Sequence, residues 1–192
     1  MKQLILIFLL IAGVSNAQEY FQQEVNYNIS VRLDDVNNFL HGFEEFEYIN
    51  NSPDELHVIY IHLWPNAYKS GTTALAKQQY ETGDDQLKYG SDSLKGYIDS
   101  LDFKINHKTV KWYFAKTHQD ICFLQLPSPL KPGERISVST PFRVKIPSGS
   151  ISRLGHVDES FQITQWYPKP AVYDRDGWHA MPYLGQGEFY SE

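Results

Sequence analysis

The amino-acid sequence predicts an all-β chain, an antiparallel β-sandwich or a strongly twisted sheet with one loop-rich insertion. Three observations carry that expectation. Apolar residues recur with a period of two from Tyr27 onward, aromatic residues make up 15% of the chain, and no strand–helix–strand alternation runs through it. Flat side chains suit a pleated, half-buried surface, so the aromatic content points the same way as the period. A length of 192 residues fits one domain with a proper core and is marginal for two. With 42% hydrophobic and 21% charged residues the chain has the composition of a folded protein. A net charge of -6, with no cluster of Lys and Arg, argues against a nucleic-acid surface.

In chain order, residues 1–17 read as a signal peptide. Lys2 supplies the positive start, Leu4 to Val14 form an apolar run too short to span a bilayer, and Ser15-Asn16-Ala17 places small residues at the cut, after Ala17. The expected compartment is therefore the periplasm or the exterior, with no stable membrane span after cleavage. Tyr27, Ile29, Val31 and Leu33 alternate as a strand with one wet face, closed by Asp34-Asp35. Phe46 and Tyr48 mark a second strand that ends at Asn50-Asn51-Ser52-Pro53, and Leu56 to Leu63, apolar on both faces, fits a central strand. Residues 65–96 break the rhythm: Ala74 to Tyr80 suits a short helix, and Gly83, Gly90 and Gly96 punctuate the rest as loop. Surface decoration is the expected role of that insertion.

Alternation then resumes. Leu101, Phe103 and Ile105 lead through Asn106-His107-Lys108 into Val110, Trp112 and Phe114, a hairpin. Ile121 to Leu126 makes a strand that Pro127 and Pro129 should end, and Lys131-Pro132-Gly133-Glu134 makes a tight turn. The longest alternating run is Ile136, Val138, Thr140, Phe142, Val144 and Ile146, where Pro141 implies a sheet edge or a bulge. The final stretch, 161–192, gathers Trp166, Tyr167, Pro168 and Pro170 and then Asp174 to His179. It reads as a shaped loop that leaves one strand and docks on something.

No complete catalytic centre is written in the chain. The seven histidines (41, 57, 62, 107, 118, 156 and 179) never form H-E-x-x-H, the helical spacing that aims two imidazoles at one zinc ion. His57 and His62, five apart in a strand, point to opposite faces. Asp34-Asp35, Glu44-Glu45 and Asp84-Asp85 read as solvated charge, because neighbours diverge on a strand. Cys122, the single cysteine, sits among apolar residues and reads as a buried thiol.

The order and spacing of several short motifs carry a resemblance. Leu40-His41-Gly42 precedes Phe46-Glu47-Tyr48-Ile49-Asn50; His62-Leu63-Trp64-Pro65-Asn66-Ala67-Tyr68 follows; then come Leu130-Lys131-Pro132-Gly133-Glu134 and Thr164-Gln165-Trp166-Tyr167-Pro168. Over residues 18–192 the chain resembles the N-terminal domain of M1-family zinc metallopeptidases, the secreted bacterial form in particular. That resemblance implies a saddle-shaped β domain cut off before its catalytic domain. The missing domain would hold zinc through H-E-x-x-H and a later glutamate, while this one walls the cleft and binds no metal itself. Peptide substrates, and the absent catalytic domain, are then the expected partners.

By the same resemblance Gln165 and Tyr167 are the expected substrate-binding residues, reaching toward the amino end of a peptide. Tyr167 stands where relatives carry Glu or Gln, and a phenol supplies no charge for an ammonium. The competing reading of Gln165 is an ordinary strand-end amide. Trp166 and Tyr167 are expected in interdomain packing, and the C-terminal aromatics should leave an exposed apolar patch for the catalytic domain to cover. Two other classes stay open: a secreted non-catalytic β-sandwich binding module, in which Trp64, Trp112 and Trp178 form a stacking platform, and a non-enzymatic relative that lacks zinc ligands.

Overall fold

Strand alternation lays down the first layer of the molecule, β1 (Glu24–Asp34) and β2 (Phe39–Ile49), as an eleven-residue antiparallel hairpin in unbroken register from Glu24 opposite Ile49 to Asp34 opposite Phe39. The computed structural model describes residues 20–186, so the predicted signal peptide, with its cut after Ala17, lies outside the described residues. β3 (Leu56–His62) follows, then a short 3-10 turn (Trp64–Tyr68), α1 (Ala74–Glu81) and α2 (Gln86–Tyr89). The chain continues through β4 (Tyr97–Asp99), β5 (Lys104–Ile105), β6 (Lys108–Thr109), β7 (Trp112–Phe114), β8 (Ile121–Leu130) and β9 (Arg135–Lys145). It closes with five short strands: β10 (Gly155–Val157), β11 (Ser160–Gln162), β12 (Lys169–Pro170), β13 (Tyr173–Asp174) and β14 (Gly177–Trp178).

Two antiparallel sheets face each other. The first is ordered β1-β2-β9-β5-β6, with β4 also on β9, and the second β12-β3-β8-β7; β10–β11 and β13–β14 are two-stranded ribbons. The fold is all-β and sandwich-like, as expected. Its main core lies between the sheets, where Phe46, Tyr48, Ile59, Ile61, Phe103, Leu124, Val138 and Val144 are fully enclosed. β3 is a central strand, paired with β12 on one side and β8 on the other. His57 on it is exposed and His62 buried, so the two point apart as the spacing requires. Cys122 is fully buried, and that burial pushes its thiol well above the ordinary range.

The prolines sit differently from expectation. β8 runs on through Pro127 and Pro129 to Leu130 instead of ending there. A register slip absorbs them: Leu56 faces Leu130 while Val58 faces Gln125, so the prolines lie in the irregular stretch where no ladder donor is needed. β9 is an interior strand in continuous register with β2, with no bulge at Pro141. On its other side β4 pairs residues 143–145 and β5 pairs 138–139, so Pro141 falls in the gap between them. The edge that proline requires is local.

The predicted hairpin is present but short. Asn106 (φ 48°) and His107 (φ 64°) make a two-residue turn between β5 and β6, both in the left-handed region that suits the strand twist. The return strand then changes sheet, and β7 pairs with β8. The Lys131–Glu134 turn forms as predicted, with Gly133 at φ 77° and Glu134 N–H bonded to the Lys131 carbonyl at 3.0 Å.

Residues 65–96 are not decoration. The 3-10 turn is wholly buried, and Trp64, Ala67, Tyr68, Leu75, Ala76 and Leu87 join Ile151, Leu154 and Tyr183 in a second core. Asn66 ties this unit to its surroundings: its Nδ2 donates to the Gln119 carbonyl at 2.9 Å, and its Oδ1 accepts from Ile98 N–H at 3.1 Å. α1 is capped by Thr73, whose Oγ1 accepts from Ala76 N–H at 3.2 Å.

Among the described residues the aromatics of the final stretch are half-buried or buried rather than fully exposed. Phe161, Trp166, Tyr167, Tyr173 and Trp178 are half-buried against the main core, and Tyr183 is buried in the second. The final stretch docks on its own domain. Among the described residues four large exposed apolar side chains, Val31, Leu33, Val36 and Phe43, belong to the β1–β2 hairpin, and others, such as Tyr80, Tyr89 and Tyr113, are scattered elsewhere.

Candidate functional site

The segment between β11 and β12 holds the two residues singled out from the sequence. Gln165 has φ 51°, a left-handed conformation that costs a non-glycine residue energy and is therefore imposed by its surroundings. Its Oε1 is buried without a hydrogen-bond partner among the described residues. Tyr167 turns inward, edge-on to Tyr27 with ring centroids 5.5 Å apart. Between them Trp166 packs on Phe142 (5.8 Å) and on Tyr167 (5.2 Å), and touches both cores. Trp166 and Tyr167 therefore make contacts within this domain while each stays half-buried. The Phe142 ring in turn occupies the space over Gly42, where a Cβ would overlap it.

Glu44 is the group that sequence reasoning misplaced. It lies on the inner row of β2 with Leu40, Gly42, Phe46 and Tyr48, and its solvent exposure is 0%. Glu45, its neighbour, points outward and accepts a hydrogen bond from Ser137 Oγ. Neither Glu44 oxygen has a hydrogen-bond partner among the described residues. Burial pushes its carboxyl up to about 9, so it is protonated and neutral at pH 7. Tyr167 feels it: burial, and then Glu44, raise the phenol above its ordinary value. The alternating row from Leu40 to Tyr48 would have placed Glu44 inside, had the strand been started at Phe39.

On the neighbouring sheet His62 stacks on Trp64 at 4.7 Å and pairs across the strands with Lys169. The Lys169 ammonium lies 4.2 Å from the Trp64 ring centroid and 6.0 Å from that of Tyr167. Burial lowers its amine to about 8. Burial and then the Lys169 charge push His62 down to about 4, against a smaller pull from the His179 main chain. Asp120, raised by burial, accepts the Tyr183 N–H at 2.7 Å and fixes the last described turn. His179 is held by Asp174 at 2.8 Å, at the far end of the β13–β14 ribbon.

These histidines do not fit a zinc ion. His62 is sandwiched in apolar surroundings, His57 points to solvent, and no group of three His, Cys, Asp or Glu converges among the described residues. Nor do Trp64, Trp112 and Trp178 form a stacking platform. Trp64 is 2% exposed, Trp112 packs on Phe103 and Phe114, and Trp178 on Tyr60 and Tyr173. Comparison with protein-family models and with curated proteins finds no match.

Proposed function

We propose that this chain is the N-terminal β domain of an M1-family zinc aminopeptidase, which releases N-terminal residues from peptides, and that it walls the active-site cleft without being catalytic itself. The observation that supports the reading most is Gln165, whose buried amide oxygen lacks a partner while its backbone is held in a strained conformation. A left-handed backbone and a buried acceptor without a partner among the described residues are each reasons to look for a functional role at this position. The acceptor chemistry suits a peptide's amino end, which offers only donors. Trp166 and Tyr167 would hold Gln165 in place through the two cores.

In this reading zinc belongs to the catalytic domain, where it would activate a water for attack on the peptide bond. This chain's part is positioning: a rigid wall, an acceptor at the substrate's end, and exclusion of water. Tyr167 carries no charge for the ammonium, so binding at this end would rest on hydrogen bonding. The chain would be secreted or periplasmic, entering through a signal peptide cut after Ala17.

The test begins by reading the coding frame past Glu192, then assaying the full product for bound zinc and for release of N-terminal residues from short peptides. The reading expects H-E-x-x-H with a later glutamate, and chelator-sensitive release. In that product Gln165→Ala should raise KM several-fold more than it lowers kcat. A stop codon directly after Glu192, with no zinc and no release, would leave a secreted non-catalytic binding module.

A further inference from the structure

The outer face of the first sheet carries an arrangement that the reading above does not use. Arg32 on β1 stands directly opposite His41 on β2, His41 opposite Arg143 on β9, and Arg143 opposite Asp99 on β4. Three nitrogen bases thus line one row across three adjacent strands, with a single carboxylate at its end. The two guanidinium groups, Arg32 and Arg143, flank the His41 ring, and of the two only Arg143 is hydrogen-bonded to a carboxylate. A groove of about 570 Å³ lies along it, lined further by Ser30, Phe43 and Ser100.

We propose that this groove is an oxyanion site that takes a carboxylate borne on a flat apolar body. Asp99 does not neutralise the row; it orients one end. Its two oxygens take Arg143 Nε at 2.9 Å and Nη2 at 2.7 Å, and the guanidinium lies 5.0 Å from the Phe39 ring. Asp34, the other nearby carboxylate, accepts from the main-chain and side-chain nitrogens of Asn37, and Arg32 and His41 lie close enough to help hold it below its ordinary value without bonding to it. Lys145 is turned to the Asp92 carbonyl at 2.7 Å. Arg32 is exposed and makes no hydrogen bond or ion pair among the described residues, leaving a planar fork free for a carboxylate. His41 beside it adds a ring nitrogen at the same level.

The apolar half of the ligand follows from the next row. Phe43, 50% exposed, faces Ser30 and Pro141 one step along the same face. An exposed phenyl ring beside a free guanidinium matches an aryl carboxylate, with the ring on Phe43 and the carboxylate on Arg32. This site is separate from Gln165, which belongs to the segment covering the opposite face, so it stands whether or not the chain is part of a peptidase.

The test is a titration of the purified chain with benzoate, acetate and inorganic phosphate, followed by NMR at the His41 ring and the arginine side chains. Benzoate is expected to give saturable shifts at His41 and Arg32, with acetate at least 5-fold weaker. Arg32→Ala should weaken benzoate at least 10-fold, Arg32→Lys several-fold through loss of the fork, and Phe43→Ala should bring benzoate down to the level of acetate. Far-UV circular dichroism checks that each variant keeps the fold. Shifts that grow linearly without saturation, equal binding to the Arg32→Ala chain, or phosphate tighter than benzoate would each overturn the proposal.

Discussion

The two cores of this molecule are built on different principles. The main core, between the sheets, is made of rows that alternate along single strands, so each strand brings its own apolar face to the contact. The second core has no such face. Its residues come a few at a time from the 3-10 turn, from α1 and α2, from Ile151 and Leu154, and from Tyr183, more than a hundred residues after the turn. A sandwich core follows from local pattern, whereas a core at its end exists only once distant loops have met.

Substitutions separate the two. The largest effect is expected from Phe46→Ala in the main core, a loss of about 3–5 kcal/mol by urea unfolding. Leu75→Ala in the second core should cost about 2–5 kcal/mol; a cost near that of a surface change, within about 0.5 kcal/mol, would return the insertion to decoration. If the cores are also one cooperative unit, both variants unfold in a single transition seen alike by fluorescence and circular dichroism. Two transitions for Leu75→Ala would show that the second core opens alone.

The main core also contains its own defect. Glu44 holds a proton up to about 9 when folded but only to 4.5 when unfolded. The folded state therefore binds more protons between those values, so its contribution is intact below pH 4.5 and declines as pH rises toward 9. At pH 7 the loss is about 3 kcal/mol. Glu44→Met is expected to recover about 2–3 kcal/mol at pH 7 and to flatten stability over that window. His62 has the opposite sign. Its value falls from 6.5 to about 4 on folding, so stability declines as pH drops through that range, and His62→Phe should remove the acid-side slope.

Smaller effects sharpen the picture locally. Gly42→Ala must displace the Phe142 ring and, through it, Trp166; an overpacking cost of about 1–3 kcal/mol is expected, with a change in tryptophan fluorescence. Thr73→Ala removes the cap of α1 and should cost about 1 kcal/mol, measured by the same unfolding titration.

Much of the sandwich is legible in the sequence because a period of two needs no knowledge of distant residues. β1 and β9 follow from alternation, β3 from a run apolar on both faces, and the Lys131–Glu134 turn from Pro-Gly chemistry. The prolines were harder, since their tolerance depends on what lies beside them. Pro141 sits in an interior strand only because β4 and β5 leave a gap there, and no feature of β9 itself shows that gap. Glu44 shows the opposite failure. Its position was readable, but a glutamate is expected in water, and only the packed row of Leu40, Phe46 and Tyr48 makes it interior. Gln165 was chosen by motif, yet its unpaired oxygen and left-handed backbone are properties of the assembled fold. The row of Arg32, His41 and Arg143 was invisible for the same reason, since it exists only through register.

The change of sheet between β6 and β7 has a mechanical consequence. Only Val110 and Lys111 separate a strand of the first sheet from a strand of the second, and Gln125 N–H in β8 bonds the Lys111 carbonyl at 2.9 Å. The hydrogen bond anchors the link on the second sheet, so the reach of two residues bounds how far the two sheets can part at this point.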